Sequence, residues 1–160
     1  MNKFMLKTLL AAALAGALST AAVADEPQLG LGVSVAGNNS AMIRGTVDLQ
    51  SNLRLEPYLA FSYDDPSGSK SSTDLEVGSA LHIMQPIKSA LNGYYGGFVG
   101  IDTYDNGSNS GTIVNLGPVA GVEYAFDPQF TLGAEVRFNL GFGDKTVVNT
   151  DSSVLLRYYF

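Results

Sequence analysis

From residue 28 onward, apolar and polar positions alternate with a period of two over most of the chain. That period belongs to strands with one apolar face. Eight such segments lie along the chain. Gln28 to Ala36 sets Leu29, Leu31, Val33 and Val35 against Gly30, Gly32 and Ser34, and a turn signal at residues 37–40 comes next. Ala41 to Gln50 sets Ile43, Val47 and Leu49 against Arg44, Thr46 and Asp48, closing at Ser51-Asn52. Leu53 to Tyr63 sets Leu53, Leu55, Leu59, Phe61 and Tyr63 against Arg54, Glu56, Tyr58 and Ser62, and a polar connection spans residues 64–73. Asp74 to Met84 sets Leu75, Val77, Leu81 and Ile83 against Glu76, Gly78 and His82; a connection of about eight residues, 85–92, contains Pro86. Gly93 to Tyr104 is read with Tyr95, Val99 and Ile101 outside and Phe98, Gly100 and Asp102 inside. Thr112 to Phe126 sets Val114, Leu116, Val122, Tyr124 and Phe126 against Asn115, Gly121 and Glu123. Phe130 to Leu140 alternates without a break, with Glu135 and Arg137 on its polar face. After a loop at 141–150, the closing segment Asp151 to Phe160 sets Val154, Leu156, Tyr158 and Phe160 opposite Arg157.

Segments of about ten residues match tilted membrane strands, whereas soluble strands average about five or six. The pattern predicts an all-β fold: an eight-stranded antiparallel up-and-down transmembrane barrel. An even strand count puts both termini on one side, expected to be the periplasm. The competing fold is a soluble exported barrel of the lipocalin type. Charge placement argues against it. Lys70, Lys88 and Lys145 fall in expected connections, while Arg44, Arg54, Arg137 and Arg157 fall mid-strand on the polar face. Arginine is the better partner in a buried, forked ion pair, so the polar face reads as an enclosed lumen. Aromatic residues collect in two belts: Tyr95, Tyr124, Phe126, Phe130, Tyr158 and Phe160 at one end, and Phe61, Tyr63, Tyr104, Phe138 and Phe142 at the other. Mid-strand Pro57 and Pro118 each remove a ladder donor, and local bulges are expected there.

The first 24 residues stand apart. Lys3 and Lys7, the apolar run Leu9 to Leu18 and the small-x-small site Ala22-Val23-Ala24 read as a signal peptide. The run is too short for a spanning helix. Residues 25–160 then form one barrel domain. Losing two lysines takes the net charge from −6 to −8. An acidic exported chain is a poor partner for nucleic acid. With no cysteine, disulfides and thiolate metal sites are excluded.

The leader, the eight strands and the SSVLLRYYF ending resemble the small outer-membrane barrels of Gram-negative bacteria, the OmpA transmembrane domain and OmpX group. The resemblance covers the whole mature chain. It implies residence in outer-membrane lipid beside lipopolysaccharide, as a monomer. Phe160, with Tyr158 two before it, is similar to the signal read by the barrel-assembly machinery, and both residues would anchor the strand at the interface. The periplasmic peptidoglycan-binding domain of full-length OmpA is missing, so cell-wall anchoring does not carry over.

Candidate chemistry sits on the polar faces. Arg44, Asp48, Arg54, Glu56, Glu76, Asp102, Glu123, Glu135, Arg137 and Arg157 are expected to form an ion-pair network inside the barrel, because unpaired charges in so narrow a space cost several kcal/mol each. The alternative is a narrow porin-like channel for cations or small polar solutes; acids outnumber arginines six to four in this set, so it would favour cations. His82, the single histidine, has no His-x-Ser neighbour, so a lipid-modifying enzyme is the weakest reading and a lumen or interface histidine with its hydrogen bonds satisfied is expected. No catalytic residue, cofactor or metal site is expected, since there is no histidine or cysteine cluster. Asp64, Asp65, Asp105 and Asp144 at the connections could meet lipopolysaccharide through divalent cations, without the spacing of a calcium loop.

Overall fold

The structure, a computed structural model, describes residues 28–37, 40–64 and 71–160. The expected signal peptide and residues 65–70 of the third connection lie outside them. Eight strands run antiparallel: β1 (Leu29–Ala36), β2 (Ala41–Gln50), β3 (Leu53–Asp64), β4 (Ser72–Lys88), β5 (Leu91–Asp105), β6 (Ser110–Ala125), β7 (Phe130–Gly143) and β8 (Val147–Tyr159). Each pairs with its neighbours in chain order, and β1 pairs with β8 from Gly30↔Tyr159 to Ala36↔Ser153. The closure leaves no sheet edge open, which is what lipid demands of strands.

The stagger of the barrel comes from the pairing. From Thr131 the partners lead through Arg157, Gly32, Arg44, Tyr58, Gly78, Gly100 and Asn115 back to β7 at Gly141, ten residues along. Ten over eight strands implies a tilt of roughly 40° from the strand rise and spacing. All of these positions face inward. Arg157, Arg44 and Tyr58 fit because glycine stands beside them. A Cβ on Gly78 would fall on the Tyr58 ring, and one on Gly32 would meet Arg157 Cγ at 3.0 Å.

The two faces are inverted relative to a soluble barrel. Leu31, Val33, Ile43, Val99, Val136 and Val154 are each at least 50% exposed, whereas Arg44, Glu56, Glu123, Glu135 and Arg157 are at most 2% exposed. Only hydrocarbon outside makes that arrangement favourable.

Several expectations need correction. β4 continues to Lys88 and β5 starts at Leu91, so the expected connection at 85–92 is a tight turn and Lys88 closes a strand. Pro86 is tolerated because β3 ends its pairing with β4 at Ile83, leaving the proline's other side without a ladder to disturb. The loop expected at 141–150 shrinks to residues 144–146. The added stretches mix exposed apolar Ile87, Phe142 and Val148 with polar and glycine positions, so the alternation there is too broken to mark a strand although the ladder runs through it.

Pro57 and Pro118 make no bulge. Pro57↔Ser79 and Gly97↔Pro118 lie in unbroken register. On their other sides the ladder skips two positions and resumes unchanged at Val47↔Leu55 and Val119↔Arg137. An antiparallel residue sends its N–H to one neighbour only, so proline interrupts one ladder locally. The register shifts fall instead beside the tight turns, at Asp48/Gln50 and Pro86/Lys88. Tyr104, grouped with the outer aromatic belt, has the parity of Phe98 and Asp102 and faces the lumen, where the Lys145 ammonium lies 4.0 Å from its ring centroid.

Candidate functional site

Inward parity brings charged side chains from five strands to the middle of the lumen, where they form one alternating chain. Asp48 Oδ1 accepts from Arg54 Nε at 2.6 Å. Arg54 Nη1 and Arg157 Nη1 both donate to Glu123 Oε2 at 2.8 Å. Arg157 Nη2 lies 2.7 Å from Glu56 Oε1, a charge contact whose angle is not that of a hydrogen bond. Glu56 Oε2 accepts from Arg44 Nη1 at 3.3 Å. Arg44 then grips Glu135 with both terminal nitrogens, at 2.9 and 2.8 Å, and Arg137 Nε reaches the same carboxylate at 2.8 Å. Four arginines alternate with four acids, so the chain is neutral as a unit. Charges this deeply buried persist only when paired in this way.

Tyrosines complete it. Tyr94 donates to Glu135 Oε2 at 3.0 Å and Tyr58 to Glu76 Oε1 at 2.7 Å. Arg137 stacks 4.6 Å from the Tyr58 ring centroid and 5.0 Å from that of Phe98. Ser34 Oγ accepts from Arg44 Nε at 3.2 Å. Strand parity places Ser34 on the polar face, but nothing in the sequence marks Ser34 or Tyr94 as members of the network.

Two of the ten candidate residues stay outside the chain. Glu76 bonds Tyr58, and Asp102 Oδ1 is buried with no hydrogen-bond partner. They stand opposite each other on β4 and β5. The acid excess of the lumen therefore collects beyond the chain, in a cavity of about 230 Å³ that also meets Asp74, Arg137, Asn139 and Lys145.

His82 corrects an expectation. Its ring is fully buried 4.7 Å from that of Tyr94, and neither nitrogen has a hydrogen-bond partner. Nδ1 stands 3.9 Å from Glu56 Oε2, too far for a hydrogen bond. Glu56, His82 and Glu135 each bring one ligand atom within 4.8 Å of the others, a grouping that long sequence separation hid. Both carboxylates are already engaged by Arg44, and further guanidinium groups come from Arg137 and Arg157. A divalent ion there would face three fixed positive charges, so the donor set does not fit a metal.

The last strand ends in rings packed edge-on and at a tilt. Tyr158 lies 4.9 Å from Phe130 and 5.3 Å from Phe160 between centroids, and Phe160 N donates to Leu29 O at 2.9 Å.

Residues 48–160, more than half of the chain, match the family model described as Opacity family porin protein. Among solved structures, Neisserial surface protein A (NspA) superposes with a TM-score of 0.65 at 19% identity, over 84% of this chain and 94% of that one. The outer membrane protein Ail of Yersinia pestis gives 0.56 at 13% identity, over 84% and 100%. A major outer membrane protein of Thermus thermophilus gives 0.54 at 11%, over 85% and 100%. At these identities the likeness is one of fold. No curated protein sequence matches the chain.

Proposed function

Because the chain belongs to the Opacity family of porin proteins and forms a small outer-membrane barrel, we propose that it works as a closed, non-catalytic barrel whose role lies at its surface. It supports the envelope, or docks a partner through its loops, and does not conduct. The observation that carries this reading is the neutral chain from Asp48 to Arg137. Every link but one is a charge-assisted hydrogen bond, and an ion crossing the lumen would have to part several of them.

The mature chain starts after Ala24, both termini face the periplasm and the barrel is a monomer in contact with lipopolysaccharide. The aromatic ending at Tyr158 and Phe160 serves both as interface anchor and as the mark read by the assembly machinery. Against an enzyme stands His82, sealed from the lipid-facing surface where an acyl substrate would lie. Unchanged lipid A and phospholipid in overexpressing cells is the expected result.

A narrow cation channel is the second reading, favoured by the acids of the upper cavity. Planar-bilayer recording of the refolded mature protein separates the two. No steady unitary current is expected. Steady cation-selective currents from the unmodified protein would replace the closed barrel with the channel.

A further inference from the structure

The ion-pair chain divides the lumen unequally. On the turn side of Arg44 the interior is filled by Tyr94, Leu155 and Tyr159, all at most 4% exposed. On the loop side lies the cavity of about 230 Å³, enough for roughly seven waters at about 30 Å³ each, or for one molecule of amino-acid size.

Its walls carry charge of both signs, and Asp151, the ladder partner of Arg137, lines it as well. On one side are Asp74 and Glu76 from β4 and Asp102 from β5. Ser62 and Tyr58 occupy part of the first two, at 3.1 and 2.7 Å, and the Lys145 ammonium rests over the Tyr104 ring, so three carboxylates face one ammonium at this wall. At the floor is Arg137, only 7% exposed. Its Nε is bound to Glu135 and its plane is held against Tyr58 and Phe98. No described residue, its ladder partner Asp151 included, accepts from its Nη2. Asn139 Oδ1 beside it is also buried and unpartnered. A buried guanidinium N–H costs free energy until an acceptor meets it.

We infer that this vestibule binds a small zwitterion, its ammonium at the Asp74–Glu76–Asp102 wall and its carboxylate at Arg137 Nη2. A bare divalent cation fits less well. Among the described residues these carboxylates are not gathered as a ligating group, and a cation leaves Nη2 unanswered. A simple anion would meet the acidic wall. Guanidinium is suited to carboxylate and the acids to ammonium, so only a ligand carrying both ends satisfies both sides. The inference stands on the blind cavity, independently of which side of the membrane its mouth faces.

The test is isothermal titration of the mature protein, refolded in detergent micelles, with three four-carbon probes: 4-aminobutyrate, butylamine and butyrate. Saturable binding of 4-aminobutyrate is expected, with the two singly charged probes at least tenfold weaker. Asp102→Asn and Arg137→Met should each weaken 4-aminobutyrate at least tenfold. Asp102 lies outside the ion-pair chain, so Asp102→Asn should keep the folded gel band and keeps the test decisive if Arg137→Met misfolds. Butylamine binding as tightly as 4-aminobutyrate, unaffected by Arg137→Met, would reduce the vestibule to an acidic pool and overturn the inference. So would the absence of saturable binding by all three probes.

Discussion

Glu123→Gln probes the logic of the lumen most sharply. Glu123 is 2% exposed and is the single acid between Arg54 and Arg157, each 2.8 Å from its Oε2. Glutamine keeps the shape and can keep an oxygen there, so the change removes charge rather than volume. Arg54 retains Asp48 and Arg157 retains Glu56, but four arginines then share three acids and one positive charge is left uncompensated. Breaking a buried pair from one side costs about 3–5 kcal/mol. Arg137 is the control, because it ends the chain. Arg137→Met strips Glu135 of one donor, while Arg44 still holds it through two bonds and Tyr94 through one. Three arginines then face four acids, but the surplus charge sits at the end of the chain, where Glu135 keeps three bonds and the methionine sulfur can stay against the Tyr58 and Phe98 rings. A smaller loss than for Glu123→Gln is therefore expected, about 3 kcal/mol or less. The assay is urea unfolding in lipid vesicles, followed by far-UV circular dichroism, with equal m-values required for comparison. A loss below about 1 kcal/mol for Glu123→Gln, or equal losses for the two variants, would refute the alternating chain as a stabilising unit.

The remaining predictions concern fold and assembly. Gly78→Val should cost at least about 2 kcal/mol in the same assay, because its Cβ falls on the Tyr58 ring and the Val99 carbonyl; a neutral result would contradict the packing of that ring. Pro57→Ala should change stability by less than about 1 kcal/mol, since the register on either side is already regular. Deleting Phe160 should lower the yield of assembled barrel in cells more than it lowers urea stability, and equal losses would leave it an anchor without a signalling role. The unboiled protein should migrate as a shifted, heat-modifiable band in the membrane fraction, and N-terminal sequencing of it should begin at Asp25.

The chain by itself determines whatever depends on period two alone. Strand count, the identity of the two faces and the inward placement of Arg44, Glu135 and Arg157 are legible because successive side chains point to opposite faces whatever the partner. Composition then decides which face meets lipid. The ends of strands are not legible, because Thr73, Asn92 and Asn149 keep ladder bonds where no apolar stripe marks them. Nor is the fate of Pro57 and Pro118, which depends on which neighbour each N–H would have faced. Only the closed barrel decides who meets whom. Arg44 and Glu135 stand 91 residues apart and join across the lumen because of a ten-residue stagger, while Glu76 and Asp102, adjacent on β4 and β5, are left out of the chain. Faces are set by local backbone geometry, but partners across a lumen are set by closure, tilt and the room that Gly32 and Gly78 leave, and those belong to the whole fold.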